Sequence, residues 1–268
     1  MKILFLGDVV GNSGCKAINE NLQEIISKHS VDFTIVNGEN SGSSGVGITE
    51  KIAKNFFSAG VDVITTGNHI WDEKEIMNFI DNESRLLRPL NLITNSPGNG
   101  FGIFLSKTKK KIGVLNLMGN IFMKKCEDAF VAADNFKKKY KLKKDYDFLI
   151  VDFHGEITSE KMAMGHFFDG EASLFVGTHT HVPTNDTRIL ENGTGYQTDA
   201  GMCGDYDSVI GMEKKGAISR FFSKKSFLKV AKGEITICGS IVEIDDKTGK
   251  ALKISPLRMG GRLSSTVD

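Results

Sequence analysis

Hydrophobic residues fall in short blocks along this chain, and the blocks alternate between two periods. Runs at 2–6, 33–37 and 61–65 are bulky, unbroken and too short for helices, so they read as buried strands. Between them, residues 14–28 set Ile18, Leu22, Ile25 and Ile26 on one helical face. Thr49 is an N-cap candidate for a helix whose apolar face is Ile52, Ala53, Phe56 and Phe57. A further helix is expected near 72–80. This βαβ rhythm implies that at least part of a sheet is parallel.

The middle of the chain changes character. Runs at 102–105 and 111–117 read as shorter, antiparallel strands joined by a hairpin loop at 107–111. Residues 127–140 read as a lysine-rich helix, and the α/β rhythm resumes at 148. After about 186, strand-like alternation returns at 187–190, 226–230, 234–244 and 251–257. This strand-rich second half suggests a second sheet packed on the first. There is no internal repeat, low-complexity segment or clear linker. One domain over 1–268 is expected, with a small lysine-rich insertion at about 119–145.

Five of the apolar runs end on residues that can hold a metal. Residues 2–7 lead to Asp8, and 33–38 lead to Glu39 and Asn40. Residues 61–67 lead to Asn68 and His69, 148–153 lead to His154, and 174–178 lead to His179, Thr180 and His181. Each signal is weak alone. Glu39 could be a solvated carboxylate, Gly67-Asn68 a turn, and His179-x-His181 a pair of exposed rings. Ligands of α/β proteins gather outside the carboxyl ends of strands, so five such ends describe one site. The donors are nitrogen and oxygen only, and they suffice for two ions. Glu39 is the candidate bridge. Asp8 and His181 can complete one ion's shell, and Asn68, His154 and His179 the other's. Two ions clamp the attacking and leaving oxygens of a phosphoryl transfer and make hydroxide available near neutral pH. His69, beside a ligand, is the candidate proton donor to a leaving alkoxide, with a purely orienting role as the alternative. His29 and His166 lie outside the pattern.

Bulk properties narrow the class. Lys plus Arg number 34 against 33 Asp plus Glu, a formal net charge of +1. That balance argues against a general nucleic-acid binder or a polybasic membrane protein. Lysines crowd at 107–111 and 137–144, readable as solvated surface or as a contact for an anionic partner such as RNA. The four cysteines form no C-x-x-C pair and read as reduced thiols of a cytoplasmic protein. The N-terminus resembles neither a signal peptide nor a membrane span. The Gly/Ser loop at 41–47 ends in no Walker pattern; it reads as a phosphate cradle, a mobile lip or a plain flexible loop.

Together, Gly7-Asp8, Gly67-Asn68-His69, the isolated His154 and Gly177-Thr178-His179-Thr180-His181 resemble the calcineurin-like metallophosphoesterases. Two departures, Val10 for the first block's histidine and Gly38-Glu39-Asn40 for G-D-x-x-D, are similar to one branch, the YmdB-like phosphodiesterases. So are the stretches 153–161, 181–186 and 198–204, and the resemblance runs from about residue 2 to 258. It implies an α/β fold, a calcineurin-like αββα sandwich. Two mixed β-sheets would be flanked by helices, with a dinuclear metal site at the strand carboxyl ends. It implies Asp8, Glu39, Asn40 and His181 on one ion, and Glu39, Asn68, His154 and His179 on the other, with His69 as proton donor. The metals implied are iron, with manganese or zinc as alternatives. The activity implied is hydrolysis of 2′,3′-cyclic and also 3′,5′-cyclic nucleotides. A phosphomonoesterase or nucleotidase on the same scaffold, or a nucleotide-sensing regulatory protein with little turnover, is the alternative. A homo-oligomer is compatible with the sequence, which locates no interface and no substrate-binding residue.

Overall fold

Two mixed β-sheets lie face to face with helices on their outer faces, as the alternating periods require. The computed structural model describes residues 1–93, 95–223 and 225–266. Its strands are β1 (Lys2–Leu6), β2 (Asp8–Val9), β3 (Phe33–Asn37), β4 (Val63–Thr65), β5 (Phe101–Leu105), β6 (Lys111–Met118) and β7 (Phe148–His154). They continue with β8 (Leu174–Thr178), β9 (Arg188–Ile189), β10 (Gly195–Gln197), β11 (Met202–Asp205), β12 (Ile235–Ile244) and β13 (Ala251–Met259). The α-helices are α1 (Gly11–His29), α2 (Glu50–Ala59), α3 (Ile76–Phe79), α4 (Ala129–Lys139), α5 (Thr158–Phe167) and α6 (Lys214–Phe221). One sheet runs β2–β11–β12–β1–β3–β4, with β13 also paired to β12; the other runs β5–β6–β7–β8–β10–β9.

Period-two alternation distributes the core. From β1, Ile3 and Phe5 turn inward, where they meet Val114, Phe148, Ile150 and Val176 of the other sheet. Leu4 and Leu6 turn outward beneath Ile18, Leu22 and Ile25 of α1 and Phe56 of α2. On the far side, Leu115, Leu149, Val151 and Phe153 pack under Ala133 and Phe136 of α4 and Met164 of α5. Both faces of the central strands are covered, so they read as unbroken apolar runs. Neighbouring strands β1–β3, β3–β4, β6–β7 and β7–β8 are parallel, which aims their carboxyl ends at one edge of the sandwich.

Three sequence expectations need correction. The C-terminal strands do not open a second sheet. β12 pairs antiparallel with β1, Leu4 opposite Ile241, and closes the first sheet, while the second is built from β5 to β10. Alternation reports which faces are buried and carries no information about the partner strand. Residues 226–230 form no strand; only Val230 bridges, to Met212. The helix near 72–80 shrinks to α3 and a 3₁₀ turn at Ile80–Asn82, because Ile70 and Asp72 are spent on turns back to Gly67 and His69.

Polar details follow the expectations. Thr49 caps α2, its hydroxyl accepting from the Ile52 N–H at 3.2 Å. The lysine-rich stretch is largely paired. Lys137 lies 2.8 Å from Glu171 and stacks 3.9 Å over Phe167, and Lys138 pairs with Asp134 and Lys143 with Asp147. All four cysteines are free, and burial pushes Cys15 up to about 12 and Cys126 and Cys238 up to about 11, so they are passive thiols. No helix among the described residues is long and apolar enough to cross a membrane.

Candidate metal centre

The residues at the strand ends converge in two adjoining groups. In one, His154 Nε2 lies 2.9 Å from Glu39 Oε1, 3.1 Å from Asn68 Oδ1 and 3.1 Å from His179 Nδ1. Donor atoms of Glu39, His154 and His179 all lie within 4.8 Å of one another. In the other, His181 Nε2 lies 3.3 Å from Asn40 Oδ1 and 4.0 Å from Asp8 Oδ1. Asp8 joins the groups: its Oδ2 accepts from the His179 N–H at 3.1 Å. Glu39 reaches the same edge, and its Oε2 accepts from the His69 N–H at 3.0 Å. All seven residues expected as ligands are therefore at one edge of the sandwich, with His69 beside them.

The local backbone explains the convergence. Gly67 lets β4 pass hard against the centre, since a Cβ there would overlap His154 and Glu39 Oε2. His179 and His181 both have positive φ, 99° and 64°. Such conformations cost on the order of 1–3 kcal/mol each and persist only when the surroundings enforce them. The enforcer is Asp199. Its Oδ2 accepts from both the N–H and the hydroxyl of Thr180, between the two histidines, at 3.1 and 2.8 Å. Asp199 is itself held by Lys161 Nζ at 2.6 Å, and both side chains are buried. Lys161→Ala strands that carboxylate, so we expect a loss of about 3–5 kcal/mol in urea unfolding. A loss below about 1 kcal/mol would mean that the pair is dispensable.

A second buried network fixes His154. Thr178 donates its one hydroxyl proton to Asp152 Oδ1 at 2.7 Å, so toward His154 Nδ1, 2.9 Å away, it accepts. That places a proton on Nδ1 and leaves Nε2 as the nitrogen turned to Glu39, Asn68 and His179. Asn37 and Thr65 donate to the other Asp152 oxygen at 3.0 and 2.5 Å. Asp152→Asn disturbs this chain, and we expect metal affinity to fall about 10–100-fold, measured by titrating metal into chelator-stripped protein. Unchanged affinity would show that Thr178 alone orients the ring.

The electrostatics fit a cation. Asp8 and Glu39 are 0% and 1% exposed, and Asp8 Oδ1 has no hydrogen-bond partner among the described residues. Burial raises Asp8 against the pull of His181 and His154. Burial also pushes Glu39 up, but His154 and His69 outweigh it and hold the carboxyl down at about 2. His154 is the mirror case: burial lowers it, while Glu39, Asp8 and Asp152 outweigh burial and bring it to about 9. His179, desolvated and beside His154, falls to about 3 and stays neutral, with one ring nitrogen left to accept. Two buried carboxylates thus favour positive charge on His154, a charge that a bound cation would supply instead. The donors, carboxylate, carboxamide and imidazole without thiolate, suit iron, manganese or zinc.

His69 stands at the edge of this group, its side chain 28% exposed. Asp72 Oδ2 accepts from its Nδ1 at 2.6 Å, and Lys124 Nζ braces Asp72 at 3.3 Å and the Asn68 carbonyl at 2.7 Å. With Nδ1 held, Nε2 is the nitrogen left for a substrate. Val10 is packed with Met202 and Val230 in a small apolar cluster, so no side chain from that position reaches the centre. The 41–47 loop is a tight turn that uses its own N–H groups, Gly42 to Gly47 and Gly45 to Gly42, and so does not form an open phosphate cradle. Its Gly45 carbonyl instead accepts from Asn40 Nδ2 at 3.0 Å and turns Oδ1 toward His181.

Sequence reading missed Asp72, Asp152, Thr178, Lys161 and Asp199. A signal existed for Asp152, a carboxylate two residues before His154 in an otherwise apolar strand, where a buried charge demands partners. Asp72, three residues after His69, shares its turn.

The chain is similar to known proteins over nearly its whole length. A family model described as YmdB-like protein matches residues 4–257. A Bacillus subtilis protein named 2′,3′-cyclic-nucleotide 2′-phosphodiesterase is 44% identical over 255 residues, 95% of each chain. A Thermus thermophilus structure of a hypothetical protein superposes with a TM-score of 0.90 at 36% identity, covering 98% of this chain and 100% of that one. A Mycoplasma pneumoniae structure described as a novel phosphatase gives 0.89 at 37% identity, covering 97% and 93%.

Proposed function

This chain belongs to the YmdB-like protein family, and we propose that it is a metal-dependent phosphodiesterase that opens 2′,3′-cyclic nucleotides. It is a phosphoesterase of the metallophosphoesterase fold. The observation that carries the substrate reading is the buried cluster of Glu39, His154 and His179, next to the partnerless Asp8 oxygen and the His69–Asp72 pair. The Bacillus relative's name points to the same bond. We assign Asp8, Glu39, Asn40 and His181 to one ion and Glu39, Asn68, His154 and His179 to the other, with iron as the first choice of metal. Bound there, the ions supply Lewis acidity and an acidified water for attack at phosphorus.

The chain's own residues do the rest. Asp72 fixes the His69 ring, and His69 Nε2–H protonates the ribose oxygen as its ester bond to phosphorus breaks. Water adds to phosphorus, the P–O2′ bond is lost, and a nucleoside 3′-phosphate remains. Thr178 and Asp152 hold His154 in its ligating tautomer, and Asp199 holds the His179–His181 turn. A 3′,5′-cyclic nucleotide presents the same kind of bond and is a second substrate class. The free thiols suit a reducing compartment, the cytoplasm, and the whole chain serves as one catalytic domain.

The test compares 2′,3′-cyclic AMP with p-nitrophenyl phosphate on protein of assayed metal content. Faster turnover of the diester, abolished by chelation and restored by metal, is expected. Preference for the monoester would make the protein a phosphomonoesterase. Nucleotide binding without turnover in the metal-loaded protein would make it a sensor.

A further inference from the structure

Residues 207–223 and 225–231 form a flap rooted at the metal centre. At its base the Ile210 carbonyl lies 2.9 Å from His181 Nδ1, and Ala231 N–H donates to Gly211. Glu213 N–H donates to the Lys229 carbonyl, and Ser226 Oγ to the Gly216 carbonyl at 2.7 Å, so the chain returns alongside α6. An eight-residue helix carries the tip roughly 12 Å outward. That tip holds three of the four most exposed phenylalanine side chains among the described residues. Phe221 is 86% exposed, Phe222 72% and Phe227 92%. Folded chains seldom group large apolar side chains in the open without a partner.

The charge around them says what partner fits. Residues 214–229 contain six Lys or Arg and no Asp or Glu, in a chain whose net charge is only +1. Lys214 pairs with Asp207 at 2.9 Å. Lys215, Arg220, Lys225 and Lys229 have no carboxylate within ion-pair distance among the described residues, unlike the lysines of α4. Three open phenyl rings interleaved with unpaired cations are the elements of a single-strand nucleic-acid platform, in which rings stack on bases and cations follow phosphates. A second copy of this chain would bring Lys215, Arg220, Lys225 and Lys229 again, with no acid between 214 and 229 to meet them, which opposes that pairing.

The geometry points to an RNA chain as the occupant: the flap grips the last nucleotides of an oligoribonucleotide and delivers its 2′,3′-cyclic phosphate end to the metal centre. This rests on the phosphodiesterase reading and narrows its substrate from a mononucleotide to an RNA terminus. The chemistry is coherent. A 2′,3′-cyclic phosphate forms when a ribose 2′-hydroxyl attacks the adjacent phosphodiester and expels the downstream 5′-oxygen, which cuts the chain. The reaction that supplies this enzyme is therefore RNA transesterification, and its product is an RNA 3′-phosphate. Val182 and Ile210, 55% and 54% exposed and both beside His181, offer apolar surface where the terminal base would arrive.

The test uses full-length, metal-loaded protein and two variants, Phe221→Ala/Phe222→Ala/Phe227→Ala and Lys215→Glu/Lys225→Glu. Two substrates are compared: 2′,3′-cyclic AMP and an octaribonucleotide ending in a 2′,3′-cyclic phosphate. Binding of the matching 3′-phosphate octamer is read by fluorescence anisotropy at two salt concentrations. We expect both variants to lose about tenfold or more in kcat/KM and in binding on the octamer, and to keep the wild-type rate on the mononucleotide. Salt should weaken the wild type more than the charge variant. Equal rates on the octamer, or equal losses on both substrates, would overturn the flap's role. So would a wild-type oligomer that the phenylalanine variant dissociates in light scattering, which would make the patch a protein interface. If wild type hydrolyses neither substrate, the phosphodiesterase reading falls, while the anisotropy still decides whether the flap holds RNA.

Discussion

Glu39→Gln should empty the metal centre and lower turnover of 2′,3′-cyclic AMP by about a thousandfold or more. The substitution changes almost no volume, so the strands that position the site stay packed. What it removes is one of two buried negative charges. The carboxylate now faces His154 Nε2 with one oxygen and the His69 N–H with the other, and it is the residue we assign to both ions. A neutral carboxamide can still accept from His69. It cannot balance two cations in a site that excludes water, where a charge lacking its partner is expensive. Metal analysis should show a fall from about two ions per chain to one or fewer. A variant that kept both ions and the wild-type rate would remove Glu39 from the ligand set.

The parts of this site that were legible in the sequence share one property: they sit where an apolar run stops. Leu6 to Asp8, Val36 to Glu39 and Phe153 to His154 are abrupt changes from residues that want burial to residues that want a charge partner, and the parallel strands bring those changes to one edge. The supporting residues lacked such a boundary. Lys161 lies within α5 and Asp199 in a polar stretch, and nothing local says that they meet across the sheet edge at 2.6 Å. The same limit hid the pairing of β12 with β1, because a strand's alternation is satisfied equally by either sheet. α6 escaped for another reason. Ile218, Phe221 and Phe222 do recur at i, i+3 and i+4, but over barely two turns, too short a run to separate a helix from a loop, and the face they mark is exposed. A segment whose large apolar side chains stand exposed is spending them on something other than the fold.

The departures from the wider superfamily pattern are consistent with one another in the structure. Val10 contributes to an apolar cluster with Met202 and Val230, and that cluster roots the flap whose Ile210 carbonyl meets His181. An imidazole at that position would have to leave the cluster to reach the metal centre. Asn40, turned by Gly45, brings an oxygen to His181 from the other side. Under the proposed ligand assignment, Asn40 in the turn after β3 supplies the donor that Val10 does not.

His69→Ala should leave both ions in place and still lower kcat on 2′,3′-cyclic AMP by about 10²–10⁴-fold. The side chain is not among the clustered donors, and its one contact with them is through the backbone N–H, which alanine retains. Asp72→Asn should give a smaller loss, since the ring stays but its Nδ1 proton no longer meets a carboxylate at 2.6 Å. The acid role makes a demand that a merely structural role does not. A ribose alkoxide needs a proton to depart, whereas p-nitrophenolate leaves unaided. A diester with a p-nitrophenyl leaving group should therefore lose far less than the cyclic nucleotide when His69 is removed. Equal losses on the two substrates, with metal content unchanged, would mean that His69 places the substrate and another group delivers the proton. Lys124 is a cation placed to inherit that task, because its ammonium already reaches both Asp72 and the Asn68 carbonyl.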